Sequence, residues 1–197
     1  MTASREASEA YENPSTATLL SGIVLLAGAG IAVWWWMSND MSSQLRIFGA
    51  PKPALSRLSD ELWSQIQTVA NNIGADPEHL ALVMNFESGF DPRAVNPRSG
   101  ASGLIQFMTF TANNLGTTVE NIRQMAASEQ MPLVEEYFRR NAGGRPLNSL
   151  QAVAMAVFYP KFMNVDENTE FPANVQASNP GIRTPADYVR KVLSHAR

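Results

Sequence analysis

Glu87 and the residues that follow it have the types and spacing to carry acid chemistry. Glu87 closes an apolar, helix-like run (Leu80, Ala81, Val83, Met84, Phe86) and opens the segment Glu87-Ser88-Gly89-Phe90-Asp91-Pro92. A carboxyl at the end of an apolar helix is poorly solvated. Poor solvation disfavours the anion, raises the pKa and lets the group hold a proton near neutral pH. The plainer reading is an exposed glutamate at a helix end. A second compact signal begins sixteen positions further on, Gly103-Leu104-Ile105-Gln106-Phe107. Gln106, set between two apolar residues, offers two amide donors and a carbonyl acceptor for a polar ligand. Gly103 lets backbone approach a ligand closely, or simply makes a turn.

Taken together, the Glu-Ser-Gly-Phe-Asp-Pro segment, Asn96-Pro97-Arg98-Ser99-Gly100-Ala101-Ser102 and the Gly-Leu-Ile-Gln-Phe strip form a specific pattern. In it the chain resembles the soluble lytic transglycosylase family and its goose-type lysozyme relatives, from about Leu58 to the C-terminus. Ile105 stands where that family usually has Met. The family's third element, Ala-Tyr-Asn on a late helix, is replaced by Ala156-Val157-Phe158-Tyr159-Pro160. That departure, and Asn179-Pro180-Gly181-Ile182 ahead of Tyr188, is more similar to phage-type, wall-degrading members.

The resemblance implies a mainly α, lysozyme-like domain that cleaves the MurNAc-β-1,4-GlcNAc bond of peptidoglycan. Glu87 is the implied catalytic residue. Ser88 would support Glu87 and the substrate, Gly103 and Gln106 would bind the sugar, and Tyr159 would hydrogen-bond Glu87 and hold it in place. No cofactor is implied.

Glycosidic cleavage normally takes two carboxyl groups, one to protonate the leaving oxygen and one to activate water or attack the sugar. Asp91 is the only second acid close in sequence, and an Asp-Pro pair in a loop is a turn former first. Glu120, Asp166, Glu167 and Glu170 lie in segments that read as solvated. In the resembling family a single Glu acts as acid and then as base towards the C6 hydroxyl of muramic acid, closing a 1,6-anhydro ring. That hydroxyl is tethered to the reacting sugar, so proximity replaces the second carboxylate. A hydrolytic muramidase of the same fold, and a non-catalytic glycan-binding protein of a membrane or virion, are the rival readings.

Composition narrows the remaining classes. The chain has 197 residues, no cysteine and two histidines, His79 and His195, far apart and in no ligand spacing. Thiolate chemistry is excluded, and no metal site is expected. The net charge is −3, with four basic and four acidic residues up to Arg57 and eleven against fourteen beyond it. No basic stripe with interleaved aromatics appears, so nucleic acid is not an expected partner.

The elements that would position these residues begin well into the chain. Residues 1–17 read as a polar, disordered tail. Residues 18–37 contain no charge and end in Trp34-Trp35-Trp36-Met37. A helix of about 20 apolar residues spans a bilayer, and tryptophans sit at its interface, so 18–37 reads as a single transmembrane anchor in lipid. One cation precedes it (Arg5) and three follow it closely (Arg46, Lys52, Arg57). Read by the positive-inside rule, this places the C-terminal domain on the cytoplasmic side. That suits a viral membrane protein delivered to the wall by the particle; a bacterial inner-membrane protein with a periplasmic domain is the alternative. Residues 38–57 read as a linker and 58–197 as the domain.

Within the domain, Ser59 reads as a helix cap, and Asp76-Pro77 as a cap with proline at the first helical position. Gly89 to Ser102 reads as a loop. Short helices are expected over 109–115, 118–126 and 128–141, then an apolar helix capped by Asn148 and running through Phe158. Lys161 to Arg183 reads as irregular, and Thr184-Pro185-Ala186-Asp187 as a strong start for the last helix.

Overall fold

Caps begin the helices that carry the site. In the computed structural model, which describes residues 55–196, α1 (Asp60–Ile73) starts where the Ser59 side chain accepts from the Leu62 N–H. α2 (Pro77–Ser88) starts at Asp76, whose carboxylate accepts from the Glu78 N–H at 2.8 Å, with Pro77 in the first turn. Each ends on a glycine with positive φ, Gly74 at 71° and Gly89 at 62°, a conformation that costs glycine nothing. The tail 1–17, the membrane-anchor reading of 18–37 and most of the 38–57 linker lie outside the described residues. Leu55, at the end of that linker, is buried among the core residues, so the packed body reaches back to it.

Among the described residues the structure is helical, without strands, as expected for a lysozyme-like domain; only isolated bridges pair Val95 with Ser102 and Ser102 with Phe107. After the loop come α3 (Thr109–Asn114), α4 (Val119–Ile122), α5 (Ala127–Ala142) and α6 (Leu150–Phe158). A 3-10 turn (Pro160–Phe162), α7 (Ala173–Ser178) and α8 (Pro185–His195) follow. No described helix is long and apolar enough to cross a membrane.

α2 and α6 form the centre. Leu80 to Asn85 and Ala152 to Ala156 are buried in unbroken runs, so both helices are enclosed on every side rather than along one stripe. α1, α6 and α8 pack against α2, and α1 also packs along α5. α1 and α5 are amphipathic and turn Ile66, Val69, Val134 and Phe138 inward.

Four sequence readings shift. The cap of α6 is Ser149 rather than Asn148, because the Ser149 hydroxyl is the group that accepts from the Ala152 N–H. The helix expected over 118–126 is a single turn, and Gln124 and Met125 leave it with i→i−3 bonds. α5 begins at Ala127, where the Glu129 carboxylate turns back to the Ala126 N–H at 2.6 Å. The 161–183 stretch is less irregular than expected: buried Phe171 anchors it against Phe158, Tyr159 and Phe162, just ahead of α7.

Candidate active site

Glu87 occupies the penultimate position of α2, one residue before the helix runs out at Gly89. It is half-buried, and its carboxyl is enclosed enough that burial pushes its pKa up to about 7; a hydrogen bond from Tyr188 opposes the rise. The carbonyl end of the helix also disfavours an anion there. No neighbouring carboxylate is among the causes. The Tyr188 hydroxyl donates to Glu87 Oε1 at 2.7 Å, and Oε2 has no donor within the described chain. One carboxyl oxygen is therefore anchored while the other can present a proton.

Tyr188 sits on α8, 101 positions away in sequence. Its ring stacks on Phe158 with centroids 4.3 Å apart and meets the edge of Phe86 at 5.3 Å. The Thr184–Asp187 capping box fixes the start of α8, and the buried Asn85 amide donates to the His195 carbonyl at 3.2 Å to hold its end. Burial and the Glu87 charge push the Tyr188 phenol well above its usual range, so it remains a donor.

Tyr159, expected to hold Glu87, does not do so. It lies at the C-terminal end of α6 and packs on Phe162 and Phe171, while the neighbouring Phe158 faces Tyr188. The chain turns into the 3-10 segment at Pro160, and the hydroxyl that reaches Glu87 comes from another helix. A third aromatic, Tyr137 on α5, is also pushed up, by burial first and then by the Glu87 charge, which places it in the same electrostatic environment. Its hydroxyl donates to the Ala156 and Val157 carbonyls over long bonds of 3.3 Å each.

The Tyr188→Phe change leaves the ring packing intact and removes the one donor to Glu87 among the described residues. Since that bond favours the anion, its loss raises the Glu87 pKa further. If protonated Glu87 is the active form, kcat/KM falls as pH rises through its pKa. The variant is then expected to keep its proton to higher pH, moving its alkaline limb up, while loss of the anchor that orients the carboxyl lowers the kcat/KM plateau. A limb that stays in place, measured as kcat/KM against pH, would exclude this role for Tyr188.

Ser88 joins the two motifs. Its hydroxyl lies 2.9 Å from the Leu104 carbonyl and 3.1 Å from that of Met84, so one proton is shared between the strip and its own helix. The strip is thereby pinned beside the Glu87 end of α2. Gln106 adopts φ of 55°, uncommon for a residue with a side chain, and its Nε2 donates to the Gly103 carbonyl at 3.1 Å and approaches that of Ala94 at 3.4 Å. Two carbonyls around one amide nitrogen define which end is which. The Gln106 donors brace the loop, and its carbonyl oxygen keeps no partner within it.

Gly103 corrects the expectation of close approach to a ligand. With φ of 81°, a Cβ there would lie 2.5 Å from Gln130 Oε1 and 2.7 Å from Ile122 Cγ2. Its missing side chain makes room for the core.

Gln130 on α5 is the residue most easily missed from sequence. It is fully buried, accepts from the Leu104 N–H at 2.9 Å, and donates to the Pro92 and Ile122 carbonyls at 2.7 and 3.0 Å. Arg123 adds a second brace, donating to Ser102 Oγ at 2.9 Å and the Gly100 carbonyl at 3.2 Å. Asp91 serves a turn: its exposed carboxylate accepts from the Arg93 N–H at 2.8 Å. Glu120, Asp166, Glu167 and Glu170 are all exposed, and Glu170 pairs with Arg183. Among the described residues no cluster of acids and histidines could hold a metal ion.

In a comparison with known families, residues 64–131 fit the family model described as Transglycosylase SLT domain. The matched stretch runs from within α1 into α5 and includes Glu87, Ser88, Gly103, Gln106 and Gln130; it ends before Tyr137, Tyr159 and Tyr188. No curated protein matches the chain. The match and the helical architecture support a glycan-cleaving function of the lytic transglycosylase type, acting on peptidoglycan strands.

Proposed function

We propose that this chain is a peptidoglycan lytic transglycosylase in which Glu87 is both acid and base. The observation that carries the reading is Glu87 itself: a carboxyl with a pKa near 7, anchored through one oxygen by Tyr188 and with the other unpaired among the described residues. A group with that pKa exchanges a proton readily in either direction at neutral pH.

In the first step Glu87 Oε2 protonates the glycosidic oxygen, the bond from that oxygen to muramic acid C1 breaks, and the GlcNAc side leaves as an alcohol. The ionised Glu87 then takes the proton of the muramic acid C6 hydroxyl. O6 closes on C1 as the 1,6-anhydro ring, and the proton returned to Glu87 restores the starting state. Water is neither consumed nor positioned. Asp91, the nearest acid in sequence, is turned to its own loop, which favours this route over hydrolysis. Ser88 keeps the strip against the acid, and the Gln106 carbonyl oxygen accepts from a sugar hydroxyl or N-acetyl N–H.

The uncharged run over 18–37 and the cations after it support a single-pass membrane placement. The membrane of a viral particle that opens the wall locally is favoured over a bacterial inner membrane.

Mass spectrometry of soluble products from purified peptidoglycan tests the chemistry. Full-length protein is expected to release muropeptides lighter by one water than their hydrolytic counterparts and lacking a reducible end. Hydrated, reducible ends would overturn the transglycosylase assignment in favour of a muramidase.

A further inference from the structure

Four large apolar residues of the described chain stand exposed, and three of them surround the Gln106 strip: Phe110 at 77%, Met108 at 48% and Val95 at 46%. Phe110 shows no ring contact with another aromatic among the described residues, and it is exposed rather than part of the interior. A cluster of this kind on an otherwise well-packed domain marks a surface that is covered in use.

Its location follows from the backbone. Val95 pairs with Ser102, and Ser102 with Phe107, so the three segments lie side by side at about 4.8 Å per step. Phe107 packs edge-on against Tyr137, 5.9 Å between centroids, and Tyr137 senses the Glu87 charge. Met108 and Phe110 follow Phe107 directly, within about 11 Å of chain. The exposed group therefore sits on and directly after the strip that the Ser88–Leu104 hydrogen bond pins beside the Glu87 end of α2.

We infer that Phe110, flanked by Met108 and Val95, forms a platform that takes the apolar face of a sugar ring of the glycan strand, away from the bond that is cut. The inference rests on the glycan-cleaving reading above. Pyranose rings present C–H groups on one face and hydroxyls at their edges. An exposed phenyl four positions after an amide whose carbonyl oxygen has no partner in its loop is complementary to that pattern, the ring taking the C–H face and the carbonyl an edge hydroxyl. The platform makes no contact with the reacting atoms, so it adds binding of the same strength to ground state and transition state. Long strands are favoured over fragments too short to reach it.

The test uses full-length protein carrying Glu87→Gln, which prevents turnover, and measures co-sedimentation with insoluble peptidoglycan. Adding Phe110→Ala is expected to weaken binding about five- to tenfold, and Phe110→Trp to retain it. Because the phenyl is exposed, the alanine variant should unfold at the same temperature as its parent. In the active protein Phe110→Ala should raise KM for peptidoglycan by a similar factor with kcat kept. Unchanged sedimentation of the alanine variant would overturn the platform alone and leave the Glu87 reading in place. A parent that fails to sediment with peptidoglycan at all would overturn the glycan reading together with the platform.

Discussion

Replacing Glu87 with Gln is expected to abolish glycan cleavage and, at neutral pH, to make the folded domain more stable. The amide keeps the shape of the side chain, and its carbonyl can still accept from Tyr188, so the local packing survives. It cannot give up a proton to the glycosidic oxygen. General acid catalysis alone accounts for roughly 10²–10⁴ of rate, and here the same group also serves as base, so a loss of at least about 10³-fold is expected.

The stability change has a defined sign. The Glu87 pKa lies near 7 in the folded protein, against 4.5 for an unperturbed glutamate. A carboxyl whose pKa is raised by folding binds its proton more tightly in the native state. Below about pH 4.5 it is protonated in both states and contributes no difference. As pH rises from there towards 7, only the unfolded chain ionises freely, and native stability falls; above 7 the full penalty is present. The difference in pKa corresponds to about 3 kcal/mol. Glu87→Gln should therefore raise the unfolding temperature at pH 8 and lose its advantage as the pH approaches 4. Equal stability of the two proteins at pH 8, by thermal or denaturant unfolding, would mean that Glu87 is solvated like an ordinary surface acid. That result would remove the basis for its role as a neutral-pH proton donor.

The Gln130→Leu change is expected to be the most destabilising single substitution in the loop region, at about 3–5 kcal/mol. Leucine has nearly the right volume, and deleting a buried amide avoids its desolvation. The partners remain, however. The Leu104 N–H and the Ile122 carbonyl would be left buried with nothing to bond, at a cost of about 1–3 kcal/mol each, and the part-buried Pro92 carbonyl would lose its partner as well. Domains of this size are stable by only about 5–15 kcal/mol, so the variant would stand close to unfolding at physiological temperature. Since Leu104 also receives the Ser88 hydroxyl, the strip should loosen against Glu87 before the domain melts. Urea unfolding checks the magnitude: a change under about 1 kcal/mol would show that the loop finds other partners.

These two residues differ in how far they were legible in the chain. Glu87 is announced locally, by an apolar run that ends on an acid and a glycine. The helices that carry it are announced in the same way, by Ser59, Asp76-Pro77 and Thr184-Pro185, because a cap is a contact between residues two or three apart. The Gly103–Phe107 strip was visible as a pattern, but the reason for its glycine was not.

Gln130, Tyr188 and Asn85 carried no such signal. Gln130 reads as one polar residue on an amphipathic helix, and only its docking 26 positions from Leu104 and 38 from Pro92 makes it a hub. Tyr159 and Tyr188 are both tyrosines near helix ends, and nothing local separates them. The choice between them depends on where α8 crosses α2, which brings residues 101 positions apart to 2.7 Å. Local hydrogen bonding and periodicity wrote the helices and the acid into the sequence, since they act over one or two turns. The proton donor's anchor and the buried polar brace came from packing between helices, which depends on the whole core and leaves no mark at either residue alone.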